Sequence, residues 1–311
     1  MKKYVVTGGA GFIGSHIVEH LTKEGNEVVV LDNLRTGFKK NLEGFNVSYH
    51  NVDIRQAEDV MKHVEGADAV FNLAALVSVP ESLEKINECI SINTLGTINI
   101  LDAARKTGNC KVVLSSSAAN YGNNPVSPKI ETMTPEPLTP YSITKLDGEY
   151  YLDMYRNEFK VPTTSLRYFN VFGPRQNPKS AYAAVVPIFI INALQNKPLI
   201  IYGDGEQTRD FIYVKDVVAA NIFASQQGKG VYNVALGQST SVKQLAEHII
   251  KITNSKSKIQ FLETRSGDIK HSMANPNKFN ELGFKPKWTI EDGLSETIKF
   301  YDRELSSKIL M

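Results

Sequence analysis

The chain is poor in cysteine: its 311 residues include two, Cys89 and Cys110. Two thiols cannot build the disulfide framework of a small secreted domain, and they lack the paired spacing of a metal-ligand set. No metal and a reduced, cytoplasmic setting are therefore expected. Charge of one sign is also missing. Lys and Arg number 35 against 33 Asp and Glu, a formal net charge of +2, and pairs such as Lys39-Lys40 are scattered rather than gathered into a basic stripe. Electrostatics gives no reason to expect nucleic acid or an anionic membrane surface. Long hydrophobic runs are absent too. The longest, residues 183–194, contains Pro187 and Asn192 and is too short to cross a bilayer. The opening MKKYVVTGGAG breaks into glycines after three apolar residues, which predicts neither a signal peptide nor an anchor.

What is present is an ordinary globular composition, 42% hydrophobic and 22% charged, which excludes disorder and collagen-like repetition. Residues 1–115 alternate apolar, β-rich runs (4–7, 28–32, 47–52, 69–73 and 111–115) with helical patterns at 15–23, 57–64 and 92–106. That alternation predicts an α/β fold, a Rossmann-type doubly wound parallel sheet with helices on both faces. Residues 123–140 carry five prolines and read as a long functional loop. A helix over 141–160 and a strand over 163–169 follow. Past Gly173 the alternation weakens. The expected division is a doubly wound domain over 1–172, with some later segments returning to it, and a smaller α/β lobe over 173–311.

The segment TGGAGFIG, residues 7–14, follows the first strand and opens a helix. In that context Gly8 makes a tight turn, Gly11 lets backbone approach a pyrophosphate, and Gly14 lets helix and strand pack closely. The helix N-terminus offers free N–H groups to the phosphates. Asp32 ends the second strand, where a carboxylate accepts from both ribose hydroxyls and repels a 2′-phosphate. NAD is favoured over NADP, with Arg35 and Lys39 slightly weakening that exclusion. Asp53-Ile54, ending the third strand, are candidates to cap the adenine.

Tyr141 and Lys145 lie four apart at a helix start and so share one face. Bringing a tyrosine from its free pKa near 10 to about 7 takes roughly 4 kcal/mol of preference for phenolate. A neighbouring ammonium and a positive nicotinamide ring are suited to supply it. Ser117 ends the fifth strand, at the sheet edge where ligands bind in such folds, and its hydroxyl can relay a proton between the phenol and a substrate hydroxyl.

Together TGGAGFIG, Asp32, the serines 115–117, Tyr141-x-x-x-Lys145 and LRYFNVFGPRQ resemble the extended short-chain dehydrogenase/reductase family over residues 4–293, nearly the whole chain. Within it the chain is most similar to nucleotide-sugar 4-epimerases, particularly the UDP-N-acetylglucosamine 4-epimerase branch. The resemblance implies further cofactor contacts at Phe12, Ile13, Asn33, Leu73, Ala74, Ala75, Asn93, Ser115 and Phe169. It implies diphosphate-binding arginines at Arg209 and Arg265, a substrate amide at Asn170 and a ribose-binding acid at Asp268. It places the uracil between residues 184–185 (Ala184, Val185) and 200–202 (Ile200, Tyr202). It also implies a homodimer built on helices 92–106 and 141–160.

Related dehydratases carry Asp-Glu after the active-site serine or threonine, and decarboxylases a Glu; here Ala118 and Ala119 can carry no proton. The resemblance then leaves 4-epimerisation of a UDP-hexose by transient oxidation at C4, turning of the keto sugar and reduction on its other face. Epimerases restricted to plain hexoses close the sugar pocket with a tyrosine where this chain has Ser272. Val77, Gln176, Asn170, Ala118 and Ala119, the other expected walls, are not aromatic. Room for a 2-acetamido group is implied, with UDP-glucose also admissible. The acetamido-preferring branch has serines in place of Ala118 and Ala119, and a valine is more usual than Asn120. A plain UDP-glucose 4-epimerase and a UDP-uronic acid 4-epimerase, the latter using Lys270 or His271, remain open. An idle NAD-binding regulator would lack Tyr141, Lys145 or Ser117, and all three are present.

Overall fold

A computed structural model describes residues 1–178, 185–264 and 270–309. Six parallel strands come from the first half: β1 (Lys3–Thr7), β2 (Glu27–Leu31), β3 (Ser48–His50), β4 (Ala69–Asn72), β5 (Lys111–Ser117) and β6 (Thr163–Tyr168). Between them run α1 (Phe12–Lys23), α2 (Ala57–Val64), α3 (Val79–Glu84), α4 (Ile86–Ile90), α5 (Gly96–Thr107) and α6 (Pro140–Glu158). The remaining strands are short: β7 (Asn170–Phe172) pairs with β10 (Phe211–Tyr213), β8 (Leu199–Tyr202) with β13 (Ile259–Leu262), and β9 (Thr208–Arg209) with both β12 (Thr240–Ser241) and β14 (His271–Ser272). One later strand, β11 (Gly230–Val234), joins the large sheet beside β6. Its seven-strand order is β11-β6-β5-β4-β1-β2-β3.

The strands read as near-continuous apolar runs because both faces are covered. On one face α1 and α8 (Val214–Gln226) bury Val6, Ile17, Leu21 and Val217; on the other α2, α5 and α6 bury Val5, Val29, Leu101 and Leu152. A third core, around Phe172, Phe189, Tyr213 and Leu294, joins α7 (Val185–Leu194), α9 (Val242–Thr253) and α11 (Ile290–Ile309). The short α10 (Asn277–Glu281) seats Phe279 against Tyr232 and Phe284.

The chain reverses its winding between β1 and β4, so a crevice opens at the strands' C-terminal ends, where ligands bind in such sheets. Three local features differ from the pattern-based expectation. Two short helices, α3 and α4, occupy residues 79–90. The helix expected over 92–106 begins as a π-helical turn, Ser91–Leu95, before α5. Asn93 lies in that turn and is buried. The proline-rich stretch is pinned to the sheet edge: Lys129 pairs with Ala274 in a lone bridge, and Glu131 accepts from the Asn233 N–H at 2.8 Å.

Candidate active site

The β1–α1 turn has no side-chain cap at Gly11, so the first N–H groups of α1 are left without helical partners. Gly8 sits at φ +67°, where a Cβ would lie 2.9 Å from the Ala74 nitrogen. A Cβ on Gly14 would come within 2.2 Å of the Gly8 oxygen, whereas beside Gly11 the nearest atom, that same oxygen, is 3.1 Å away. The turn is thus closed on its protein side and open at Gly11, the cradle a pyrophosphate requires.

A cavity of about 190 Å³ continues from this turn, walled by Gly8, Gly11, Phe12, Ile13, Gly14, Asp32, Asn33, Asp53, Ile54, Leu73, Ala74, Ala75 and Ser115. The buried Asp32 accepts from the N–H of Ala10 at 2.9 Å on one oxygen and of Leu34 at 2.8 Å on the other. Burial raises its pKa, and these two bonds pull it back. Each oxygen keeps a lone pair for a ribose hydroxyl. Asp53 is held by Arg55 at 2.6 Å and by Asn33 at 3.3 Å, which keeps its carboxyl below the usual value. Arg35 and Thr36 also line this cavity, positions that the glycine-and-acid pattern does not single out. Arg35 is engaged by Glu81 at 2.7 Å, and Lys39 lies over the Tyr49 ring, so each of the two cations near Asp32 has a protein partner.

Asn93 is not on either wall of the crevice. It is buried behind the cofactor cavity, accepting from the Leu76 N–H at 2.8 Å and donating to Thr144 at 2.9 Å. It braces the Leu73–Leu76 segment against α6 instead.

Ser115, Phe12, Ile13, Leu73 and Val77 are shared with a larger cleft of about 680 Å³. Its wall brings together Ser117, Tyr141, Lys145, Phe169, Asn170, Gln176, Val185, Ile200, Tyr202 and Arg209. Helix α6 starts just before Tyr141 because Pro140 stands in its first turn and Thr139 caps it, accepting from the Ser142 N–H at 3.3 Å. That start points Tyr141 and Lys145 at the end of β5. Ser117 stands with Tyr141 on this wall and lowers the pKa of its phenol. Lys145 donates to the Ser115 carbonyl at 2.7 Å and lies 5.8 Å from the Tyr141 ring centre. Burial lowers the Lys145 ammonium to about 8.

Tyr141 departs from the expected direction. Burial raises its pKa above the ordinary phenol value, and only Ser117 opposes that. The buried Cys89 thiol also raises it. The chain's own groups therefore keep the phenol protonated near neutral pH, and a positive charge brought against the ring is what would reverse the balance.

Arg209 donates to the Thr208 carbonyl at 2.9 Å from β9. Its neighbour in register on β14 is Ser272, which, with Ala118 and Ala119, is absent from the described wall of the cleft. Ala184, Arg265 and Asp268 lie outside the described residues. The cleft also uses Tyr168, Phe189, Phe211 and Gln207. Gln207 stands two before Arg209, the strand spacing that puts side chains on one face, a signal that could have marked it. Gln176 donates to the Val171 carbonyl at 3.2 Å, and its buried Oε1 has no protein partner. Among the described residues no cluster of His, Cys, Asp or Glu is placed to hold a metal, and no helix is long and apolar enough to cross a membrane.

A doubly wound sheet, a glycine cradle beside a buried acid, and a Ser–Tyr–Lys set at the adjoining cleft define a dinucleotide-dependent enzyme of the short-chain dehydrogenase/reductase type. Comparison with known proteins agrees. Residues 4–235 match the profile described as the NAD dependent epimerase/dehydratase family. The chain belongs to that family, and its cofactor is NAD. It is 35% identical over 307 residues to the UDP-glucose 4-epimerase of Mycolicibacterium smegmatis, covering 96% of this chain and 97% of that protein. The structure of UDP-N-acetylglucosamine 4-epimerase from Methanobrevibacter ruminantium, in complex with UDP-N-acetylmuramic acid, superposes with TM-score 0.93 at 41% identity, covering 97% of this chain and 99% of that one. The UDP-glucose 4-epimerase of Thermus thermophilus, complexed with NAD, gives 0.88 at 36% identity, covering 96% and 98%.

Proposed function

We propose that the protein interconverts UDP-sugars at C4, taking UDP-N-acetylglucosamine and UDP-N-acetylgalactosamine and also UDP-glucose and UDP-galactose. The observation that carries this reading is the gathering of Ser117, Tyr141 and Lys145 on the wall of a cleft continuous with the Asp32 cavity. A proton-moving group thus stands beside the cofactor site, followed by two alanines where dehydration or decarboxylation would need an acid.

When bound, NAD supplies a two-electron acceptor for C4 and returns the electrons to the resulting ketone. Asp32 receives the ribose hydroxyls, and the open side of Gly11 receives the pyrophosphate. Tyr141 takes the proton of the 4-hydroxyl and gives it back, with Ser117 bonded to both phenol and sugar. Lys145, anchored on the Ser115 carbonyl, stands beside the phenol ring where it meets the cofactor. Arg209, with Arg265 as its proposed partner, holds the diphosphate through forked donors; Asp268 binds the uridine ribose, and Ala184, Val185, Ile200 and Tyr202 pack the uracil. Tethered there, the keto sugar turns between Val77, Asn170 and Gln176 and presents its other face.

The cleft volume of about 680 Å³ is within the usual range for ligand sites and supports acceptance of the acetamido sugar. A uronic acid substrate is less well served: His271 bonds Thr208 at 3.0 Å, and neither it nor Lys270 is on the described wall. The test is to incubate purified protein separately with UDP-N-acetylglucosamine and UDP-glucose and resolve the 4-epimers. Conversion of both is expected; conversion of glucose alone overturns the acetamido reading, and conversion of neither overturns the function.

The expected dimer also belongs to this proposal. Exposed apolar residues gather on α3, α4, the π turn and α6, namely Leu83, Ile86, Ile90, Leu95, Ile143, Tyr150 and Met154. A second copy of this chain is the occupant we propose for that face. Cys89 and Cys110 are free and buried, which supports a cytoplasmic setting.

A further inference from the structure

Three side chains on one stripe of α6 meet three consecutive serines at the end of β5. Tyr141 shares the cleft wall with Ser117, Lys145 donates to the Ser115 carbonyl at 2.7 Å, and Glu149 accepts from the Ser116 hydroxyl at 2.5 Å. Their spacing of four and eight residues is the helix repeat. Gly148 lets the helix lie this close, since a Cβ there would stand 2.8 Å from a Leu114 methyl.

The last of these contacts has no part in the proton transfer described above, and its surroundings are unusual. Glu149 and Arg167 are both buried and paired through two bonds, of 2.8 and 2.7 Å. Asn120 adds a donor to the same carboxylate at 2.9 Å and another to Ser116 at 3.2 Å. Arg167 is stacked 4.7 Å over the Tyr121 ring. A buried ion pair is a poor device for stability, because its desolvation cost rivals its attraction. This one is placed to act on geometry: its carboxylate holds Ser116 immediately before Ser117, and Asn120 in the turn immediately after it.

We propose that Glu149, oriented by Arg167, is a positioning residue that fixes Ser117 under Tyr141 by bonding Ser116 on one side and Asn120 on the other. The proposal rests on the reading that Ser117 and Tyr141 move the substrate proton. It gives Asn120 a role. A valine there could donate nothing to the carboxylate.

The test is the Ser116→Ala/Asn120→Val double variant, purified with its NAD and assayed on UDP-N-acetylglucosamine and UDP-glucose across pH. Both bonds to Glu149 are deleted while the ion pair stays. Displacement of a catalytic group by an ångström costs up to about a hundredfold. Here kcat is expected to fall at least tenfold, with KM within twofold and NAD retained. Because the nearness of Ser117 is what lowers the Tyr141 pKa, the acid limb of the kcat profile is expected to move to higher pH. A variant with lower thermal stability but unchanged kcat and acid limb overturns the proposal and leaves the network a merely structural one. If the double variant does not fold, Ser116→Ala alone, which removes one hydroxyl, carries the same readouts. Failure of the underlying reading is separate: it would be seen as normal turnover in Tyr141→Phe.

Discussion

Arg35 reaches from the loop after β2 to Glu81 at the foot of α3, a contact of 2.7 Å at the rim of the cofactor cavity. A second carboxylate, Glu88 of α4, bonds the same guanidinium and raises its pKa further. An arginine that would otherwise attract a 2′-phosphate is thereby occupied. Replacing both acids, Glu81→Gln with Glu88→Gln, frees it. Exposed ion pairs are weak, so a gain in NADP affinity of about a few-fold is expected, with Asp32 still opposing it. Titration of the cofactor-free variant with NADP and NAD checks this. An unchanged NADP affinity would show that Arg35 does not face that phosphate.

Tyr141→Phe removes the hydroxyl that carries the proton. Loss of a positioned general base costs roughly 10²–10⁴ in rate, so turnover of both UDP-sugars is expected to collapse while NAD stays bound. Cofactor content by absorbance and rate by product separation are measured on one preparation. Near-normal turnover would remove the phenol from the chemistry.

His16 of α1 bonds the Pro174 carbonyl at 2.9 Å, joining the cofactor helix to the segment that carries Gln176. Burial lowers its pKa to about 4, assisted by the charge of Arg175. Its ordinary value is 6.5, so between these the unfolded chain binds the extra proton. The stability that neutral His16 provides is therefore present above pH 6.5 and lost as pH falls toward 4. In thermal melts, His16→Gln is expected to be less stable than the unaltered protein at about pH 7.5 and to close that gap by about pH 5. A constant gap would mean that His16 does not titrate in this way.

Ile143, Tyr150 and Met154 share the outer face of α6. If that face meets a second copy, Ile143→Glu with Tyr150→Glu places two buried charges at the junction. The expected result in analytical ultracentrifugation is a monomer, where the unaltered protein sediments as a dimer. A monomeric unaltered protein would refute the assembly outright.

Much of the cofactor site was legible because its grammar is local. The glycines of residues 8–14, the acid at the end of β2 and the four-residue step from Tyr141 to Lys145 each encode a geometry within a few residues. The sheet followed from its apolar runs for the same reason. What escaped depends on distant chain. Helices α3 and α4 have six and five residues, too short for a periodic signal. Asn93 reads as a cofactor contact, and its bonds to Leu76 and Thr144 join three separate segments of the chain. Ser272 reads as a pocket wall by its distance from an arginine, while its pairing in register with Arg209 joins two strands that no local pattern announces. The Glu149–Arg167 pair joins residues on two elements and could not be inferred from either alone.

The return of β11 to the edge of the large sheet has a consequence for dissection. It hydrogen-bonds β6 along its length, from Gly230 opposite Thr164 to Val234 opposite Tyr168. A polypeptide stopped at residue 172 would leave β6 as a bare border of unpaired backbone groups, an invitation to self-association, while the remainder would carry a strand with nothing to lie against. The two pieces are better understood as complementing fragments than as separable modules: co-expressed, each supplies the surface on which the other completes itself.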